Sequence, residues 1–233
     1  MHPPSVQERV TMLVAIDTAT RFASLALYDG SSVRAEESWQ SANNHTVELM
    51  PSLVRMMARQ RVPPHALRGV AVALGPGSFT GLRIGLAVAK GLALAQDIPL
   101  LGVPTLDVLA YIHADQRRPI CAVVRAGRGR VCVGRYVRRR GRWRRVGELG
   151  LSTIAELAAQ LERATLFCGE ITAAEREFLQ SHEKGWAVVT SPAASLRRAG
   201  YLAELAWQRL ARGESDDPVT LSPIYLHPPL SKE

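Results

Sequence analysis

The chain has 233 residues and is 47% hydrophobic, which is enough for one large or two small cores and places it among ordinary folded proteins. No apolar run approaches the roughly 20 residues of a transmembrane helix, and the opening MHPPSVQERVT lacks a signal peptide's apolar core, so a cytoplasmic location is expected. The formal charge of +8 is concentrated: ten arginines fall between Arg125 and Arg145 with no acid among them, leaving 19 basic against 21 acidic residues elsewhere. Three cysteines, Cys121, Cys132 and Cys168, share no C-x-x-C spacing and read as small core residues, not as a disulfide framework or a thiolate metal site.

Residues 1–11 read as a disordered extension ahead of the first strand, with Met12 an alternative start. Met12–Ile16 and Ala23–Tyr28 are strand-like, separated by Asp17, Thr18, Ala19, Thr20 and Arg21. Asp29-Gly30 then turns the chain into a third strand near Val33–Trp39. Asp17 has two readings. Its carboxylate suits a water-bridged Mg²⁺ beside hydroxyls at Thr18 and Thr20, and it equally suits a turn that satisfies its own N–H groups. Asn43 or Asn44 is placed to cap a helix carrying Val47, Met50, Leu53, Val54 and Met57 at helical spacing, with Pro51 in its first turn or at a kink.

A linker over Arg61–Arg68 leads to VAVALGPGSFTGLRIGLAVAKGLALA, residues 70–95. An uninterrupted apolar strand runs into a Gly-rich turn and then into a helix from Leu82 to Ala95. Such a unit can aim backbone N–H groups at a phosphate, with Gly75, Gly77 and Ser78 the weak candidates. It fits neither the Walker loop nor the dinucleotide fingerprint: Leu82 and Arg83 follow Gly81, and Gly75, Gly77 and Gly81 are spaced two and four. Gly81, Gly85, Ala89 and Ala93 form a stripe of small residues that lets another backbone approach closely. Ile98–Gly102 is a short strand, and a helix begins at Thr105.

A second lobe built like the first is expected from Tyr111 onward, with strands at Ile120–Val124, Val131–Val137 and Trp143–Val146. Helices follow at Leu151–Leu161 and Thr172–Leu179 around a strand at Leu166–Cys168, then a strand at Trp186–Val189 and an amphipathic helix at Tyr201–Leu210. The domain reading is therefore 12–110, 111–213 and a Pro-rich extended tail over 214–233. Arg139, Arg140, Arg142 and Arg144 sit near Trp143 at an expected hairpin tip. They read either as an RNA contact by phosphate pairing and base stacking or as a solvated loop.

GPGSFTGLRIGLAVAKGLA, with IDTATRFASLALYDG before it and GVPTLDVLA after it, resembles the TsaB (YeaZ) family of partners in making threonylcarbamoyladenosine in tRNA. The likeness is strong over Leu13–Ala110 and weak beyond. It implies an α/β, actin-like (ASKHA, RNase H-like) fold of two similar lobes, each a mixed sheet flanked by helices, and a non-catalytic scaffold role. The implied partners are a TsaD-like catalytic subunit, a TsaE-like ATPase and tRNA, with a homodimer when the chain is alone. No cofactor is expected on this chain, ATP and a metal being carried by the partner subunits. The implied docking surface comprises Val47, Met50, Val54 and Met57 with Leu82, Gly85, Leu86 and Ala89.

Two departures matter. The catalytic relative carries two metal-binding histidines four apart where Thr105 and Leu109 stand here, and members' usual Asp and Glu around the second-lobe turn are replaced by Arg125 and Arg130. The other readings are a sugar-kinase-like phosphotransferase, a glycopeptidase, or a free-standing RNA-binding module. A kinase of this fold would need a second Gly-rich loop where only Gly169 beside Glu170 stands. A peptidase would need metal ligands, and the six histidines are scattered.

Overall fold

A computed structural model describes residues 11–42 and 44–226; the expected N-terminal extension lies outside the described residues except at Thr11, as does Asn43. The first sheet is built from β1 (Met12–Asp17), β2 (Phe22–Tyr28), β3 (Val33–Gln40), β4 (Leu67–Ala73) and β5 (Leu100–Val103) in the order β3-β2-β1-β4-β5. β1, β2 and β3 form an antiparallel meander, while β1, β4 and β5 run parallel. Parallel neighbours need crossovers, and two helices supply them: α1 (His45–Arg59) between β3 and β4, and α2 (Phe79–Gln96) between β4 and β5. Because strand side chains alternate between faces, Val14, Ile16, Val70 and Val72 pack under α1 and α2. Leu13, Ala15, Ala71 and Ala73 face the opposite layer.

The second sheet repeats this plan. Its strands are β6 (Ile120–Gly127), β7 (Arg130–Arg139), β8 (Arg142–Ser152), β9 (Thr165–Gly169) and β10 (Ala187–Val189), ordered β10-β9-β6-β7-β8. The crossover helices are α4 (Ile154–Ala159) and α5 (Ala173–Gln180). Each sheet is followed by one more helix, α3 (Thr105–Tyr111) and α6 (Ala199–Leu210), and these two are exchanged. Leu106, Leu109 and Ala110 of α3 bury against Ile120, Ala122 and Val124 of the second sheet. Ala199, Leu202, Ala203 and Ala206 of α6 bury against Leu13, Ala26 and Leu101 of the first. A cut between residues 110 and 111 thus separates each of these helices from the sheet it covers. The tail returns to the first lobe, where Asp216 accepts from Gly102 N at 2.7 Å and from Arg209 at 2.9 Å, and Ile224 N donates to Leu74 O.

Several boundaries differ from the sequence reading. β4 begins at Leu67, because Leu67 is already buried and pairs with Met12. α2 begins at Phe79, since Ser78 accepts from Gly81 N and caps it. Leu151 belongs to β8, and α4 starts only after the reciprocal Thr153–Glu156 capping pair. Pro51 lies inside α1, past its first turn, and Asn44 caps that helix without a side-chain bond.

Candidate functional site between the lobes

The β1–β2 turn faces the Gly-rich loop, and the two interlock through backbone. Ser78 N donates to Ala19 O at 2.6 Å, and Thr18 Oγ1 donates to Gly81 O at 2.7 Å. A Cβ on Gly77 would lie 2.0 Å from Ala19 O, one on Gly81 2.2 Å from Thr18 O, and one on Gly85 2.2 Å from Thr18 Oγ1. Gly81 and Gly85 of the small-residue stripe are therefore a packing surface for the chain's own turn, while Ala89 and Ala93 pack into the first lobe's core. Gly75 N donates to Thr105 Oγ1 at 3.0 Å while Thr105 N returns a bond to Gly75 O, so this threonine holds the loop from behind. Leu109, one turn on, is fully buried in the second lobe's core.

Asp17 is closed off. Oδ1 accepts from Ala19 N at 2.9 Å, and Oδ2 accepts from Arg197 Nε at 3.0 Å. Arg197 enters from the second lobe just ahead of α6, also donates to Thr20 Oγ1 and Phe22 O, and is only 4% exposed. A guanidinium thus stands against the carboxylate where a hydrated cation would have to sit. The N–H groups of Gly75, Ser78 and Gly81 are used within the protein. The residues present do not fit a metal-bound phosphate: the acid that would hold the cation is paired with a buried arginine instead.

Above this lock lies a cleft of about 800 Å³ between the lobes. One wall carries Phe22, Phe79 and Tyr225, and the other Arg125 and Glu170. Phe79 and Tyr225 pack at 5.3 Å, and the Arg83 guanidinium lies 3.7 Å over the Phe79 ring while its Nε donates to Tyr225 Oη. Opposite, Arg125 N donates to Glu170 and its guanidinium pairs with Glu175 at 2.6 Å. Partial burial works against ionisation of Glu175, but donations from Thr172 and Arg125 outweigh it and hold its pKa below the ordinary value. The arginine that replaces an expected acid here is a strut inside its own lobe. Neither Arg197 nor the Phe79–Arg83–Tyr225 stack leaves a local signal in the sequence, since Arg197 meets Asp17 across 180 residues and Arg83 meets Tyr225 across 142.

Of the expected docking residues, Val47, Met50 and Val54 are exposed at 68%, 39% and 58%. Met57, Leu82, Leu86 and Ala89 are not available: they pack into the first lobe's core, and Gly85 is buried under Thr18. The reason is angular. The sheet takes Leu49, Leu53, Met56 and Met57 from α1, leaving 47, 50 and 54 on the outer side. Arg139, Arg140, Arg142 and Arg144 are exposed at the β7–β8 turn. One face of the Trp143 ring is taken by Tyr136, stacked at 5.1 Å and 3°, and Tyr111 packs against it at 5.8 Å and 68°.

Residues 39–231 match the family model described as TsaD, tRNA N6-adenosine threonylcarbamoyltransferase. The TsaB protein of Bacillus subtilis is 32% identical over 171 residues, spanning 72% of this chain and 75% of that one. The chain belongs to the TsaB (YeaZ) family. TsaB of Haemophilus influenzae is 27% identical over 226 residues and 92% of both chains. The solved structure of YeaZ from Pseudomonas aeruginosa superposes with a TM-score of 0.78 at 25% identity, covering 93% of this chain and all of that one. The family fold is the two-lobed, actin-like α/β architecture seen here, and the similarity extends through the second lobe. Among the described residues no helix is long and apolar enough to cross a membrane.

Proposed function

We propose that this TsaB-family chain serves the synthesis of threonylcarbamoyladenosine in tRNA as a non-catalytic subunit. It pairs with a TsaD-like catalytic subunit and, through that pair, with a TsaE-like ATPase and tRNA, in the cytoplasm. The observation that carries this reading is the Arg197–Asp17 pair: the acid of the β1–β2 turn is bound to an arginine that enters from the second lobe. Thr105 and Leu109 support it, since one is spent on the Gly75 turn and the other on the core. A phosphotransferase of this fold would need the carboxylate that Arg197 neutralises.

The docking face for the catalytic subunit is the outer side of α1, Val47, Met50 and Val54, three apolar side chains on one exposed stripe. Burying each is worth roughly 1.5–3 kcal/mol, so losing all three removes several decades of affinity. The test is co-purification with the TsaD-like protein of the same cell, comparing the natural chain with Val47→Glu, Met50→Glu, Val54→Glu. Loss of the partner with an unchanged melting profile is expected. A folded variant that still co-purifies would overturn the assignment of this face, and a natural chain that brings down no TsaD-like protein would overturn the scaffold reading.

A further inference from the structure

The β7–β8 hairpin separates its residues by face. Its register pairs Arg139 with Arg142, Arg138 with Trp143, Val137 with Arg144, Tyr136 with Arg145 and Arg135 with Val146. Since cross-strand partners share a face and neighbours alternate, Tyr136, Arg138, Trp143 and Arg145 lie on one side, and Arg135, Arg139, Arg142 and Arg144 on the other. The first side is anchored. Tyr136 Oη donates to Asp107 at 2.7 Å, Arg145 approaches the same carboxylate at 3.4 Å, Arg138 donates to Asp115 O at 2.7 Å, and Trp143 lies on Tyr136.

The second side faces outward. Arg135 reaches Gln160 at 2.7 Å, and among the described residues no hydrogen bond or ion pair holds the heads of Arg139, Arg142 or Arg144. Arg140, at φ 50°, and Gly141, at φ 76°, make the tight turn that sets a further arginine at the tip. At the foot of this ladder Glu162 lines a groove of about 450 Å³ with Arg135 and Arg163.

We propose that this outward face of the β7–β8 ribbon binds the phosphate backbone of a structured RNA, without reading its bases. On β8, Arg142 and Arg144 stand two residues and so about 7 Å apart, a spacing that suits successive phosphates, and Arg139 faces Arg142 across the ladder. The only aromatic side chains of the hairpin are committed to the other face, so no base platform accompanies them. An A-form stem offers such a ribbon its backbone and wide minor groove, where recognition is by shape and charge. That the RNA is tRNA rests on the function proposed above; that the ladder takes phosphates does not.

The test uses the full chain and a labelled tRNA, with binding measured across a salt series for three proteins. Arg139→Glu, Arg142→Glu, Arg144→Glu should weaken binding at least about tenfold and flatten the slope of log K against log salt by about 3. The same residues changed to Lys should keep the slope, and Arg59→Glu, Arg61→Glu, Arg68→Glu, with an equal change in net charge, should leave binding within about twofold. An unrelated RNA hairpin should compete about as well as tRNA. The proposal is overturned if both Glu variants weaken binding equally, if the ladder variant binds normally, or if it keeps RNA but no longer co-purifies with the TsaD-like partner. That last result would make the ladder a protein interface while leaving the scaffold reading intact.

Discussion

Arg197 and Asp17, 180 residues apart, form a buried ion pair that fastens the second lobe to the first β-turn of the chain. Removing one partner of such a pair strands a charge with no solvent to replace it. Arg197→Ala should therefore cost about 3–5 kcal/mol in denaturant unfolding. Changing both, with Asp17→Asn and Arg197→Met, should recover most of that loss, because no charge is then left buried. If the double variant is as damaged as the single one, the pair is not the lock described.

The glycines of the central loop give a second prediction. Gly77→Ala places a methyl 2.0 Å from the Ala19 carbonyl, a backbone atom that also receives Ser78 N. It should destabilise by about 1–3 kcal/mol or more. Gly91→Ala, on the exposed side of α2 with nothing within 4 Å, should stabilise by up to about 1 kcal/mol through helix propensity. Thermal unfolding of the two variants checks the contrast.

How far the fold was legible follows from the range of the forces involved. The strand–turn–helix units and the repeat of the first lobe's pattern in the second are written in local periodicity, which is why β1, β2, α3 and β9 lie close to where the residues place them. The stripe Gly81–Gly85–Ala89–Ala93 is readable as a packing surface, but Thr18, which packs on its two glycines, lies more than 60 residues upstream and leaves no local mark. Met50 and Met57 look alike in sequence; only the rotation of α1 on the sheet makes one exposed and the other core. Arg197 had no signal at all, being one arginine of an Arg-Arg pair ahead of α6, of which Arg198 goes to the surface and Glu36.

The cysteines predict a pH dependence. Burial pushes the Cys121 thiol up to about 12 and that of Cys132 to about 11, and raises Cys168 further in the same direction. Below the unfolded value near 8.5, both states hold these protons and stability is flat. Above it the unfolded chain ionises first, so stability falls with pH by about 1.4 kcal/mol per unit for each thiol until the folded values are reached. The denaturant midpoint should thus drop between pH 8 and pH 10. Ellman's reagent should find almost no reactive thiol in the folded protein and three after unfolding.

The most direct measurement of the central claim is reconstituted synthesis of threonylcarbamoyladenosine on tRNA from this chain, its TsaD-like partner and its TsaE-like ATPase. Leaving this chain out should abolish product. Replacing it with the Glu170→Gln variant, which neutralises the one carboxylate lining the cleft among the described residues, should leave the rate within about twofold. A rate that falls by tenfold or more, with the partners still bound, would place chemistry in this chain's own cleft and contradict the account.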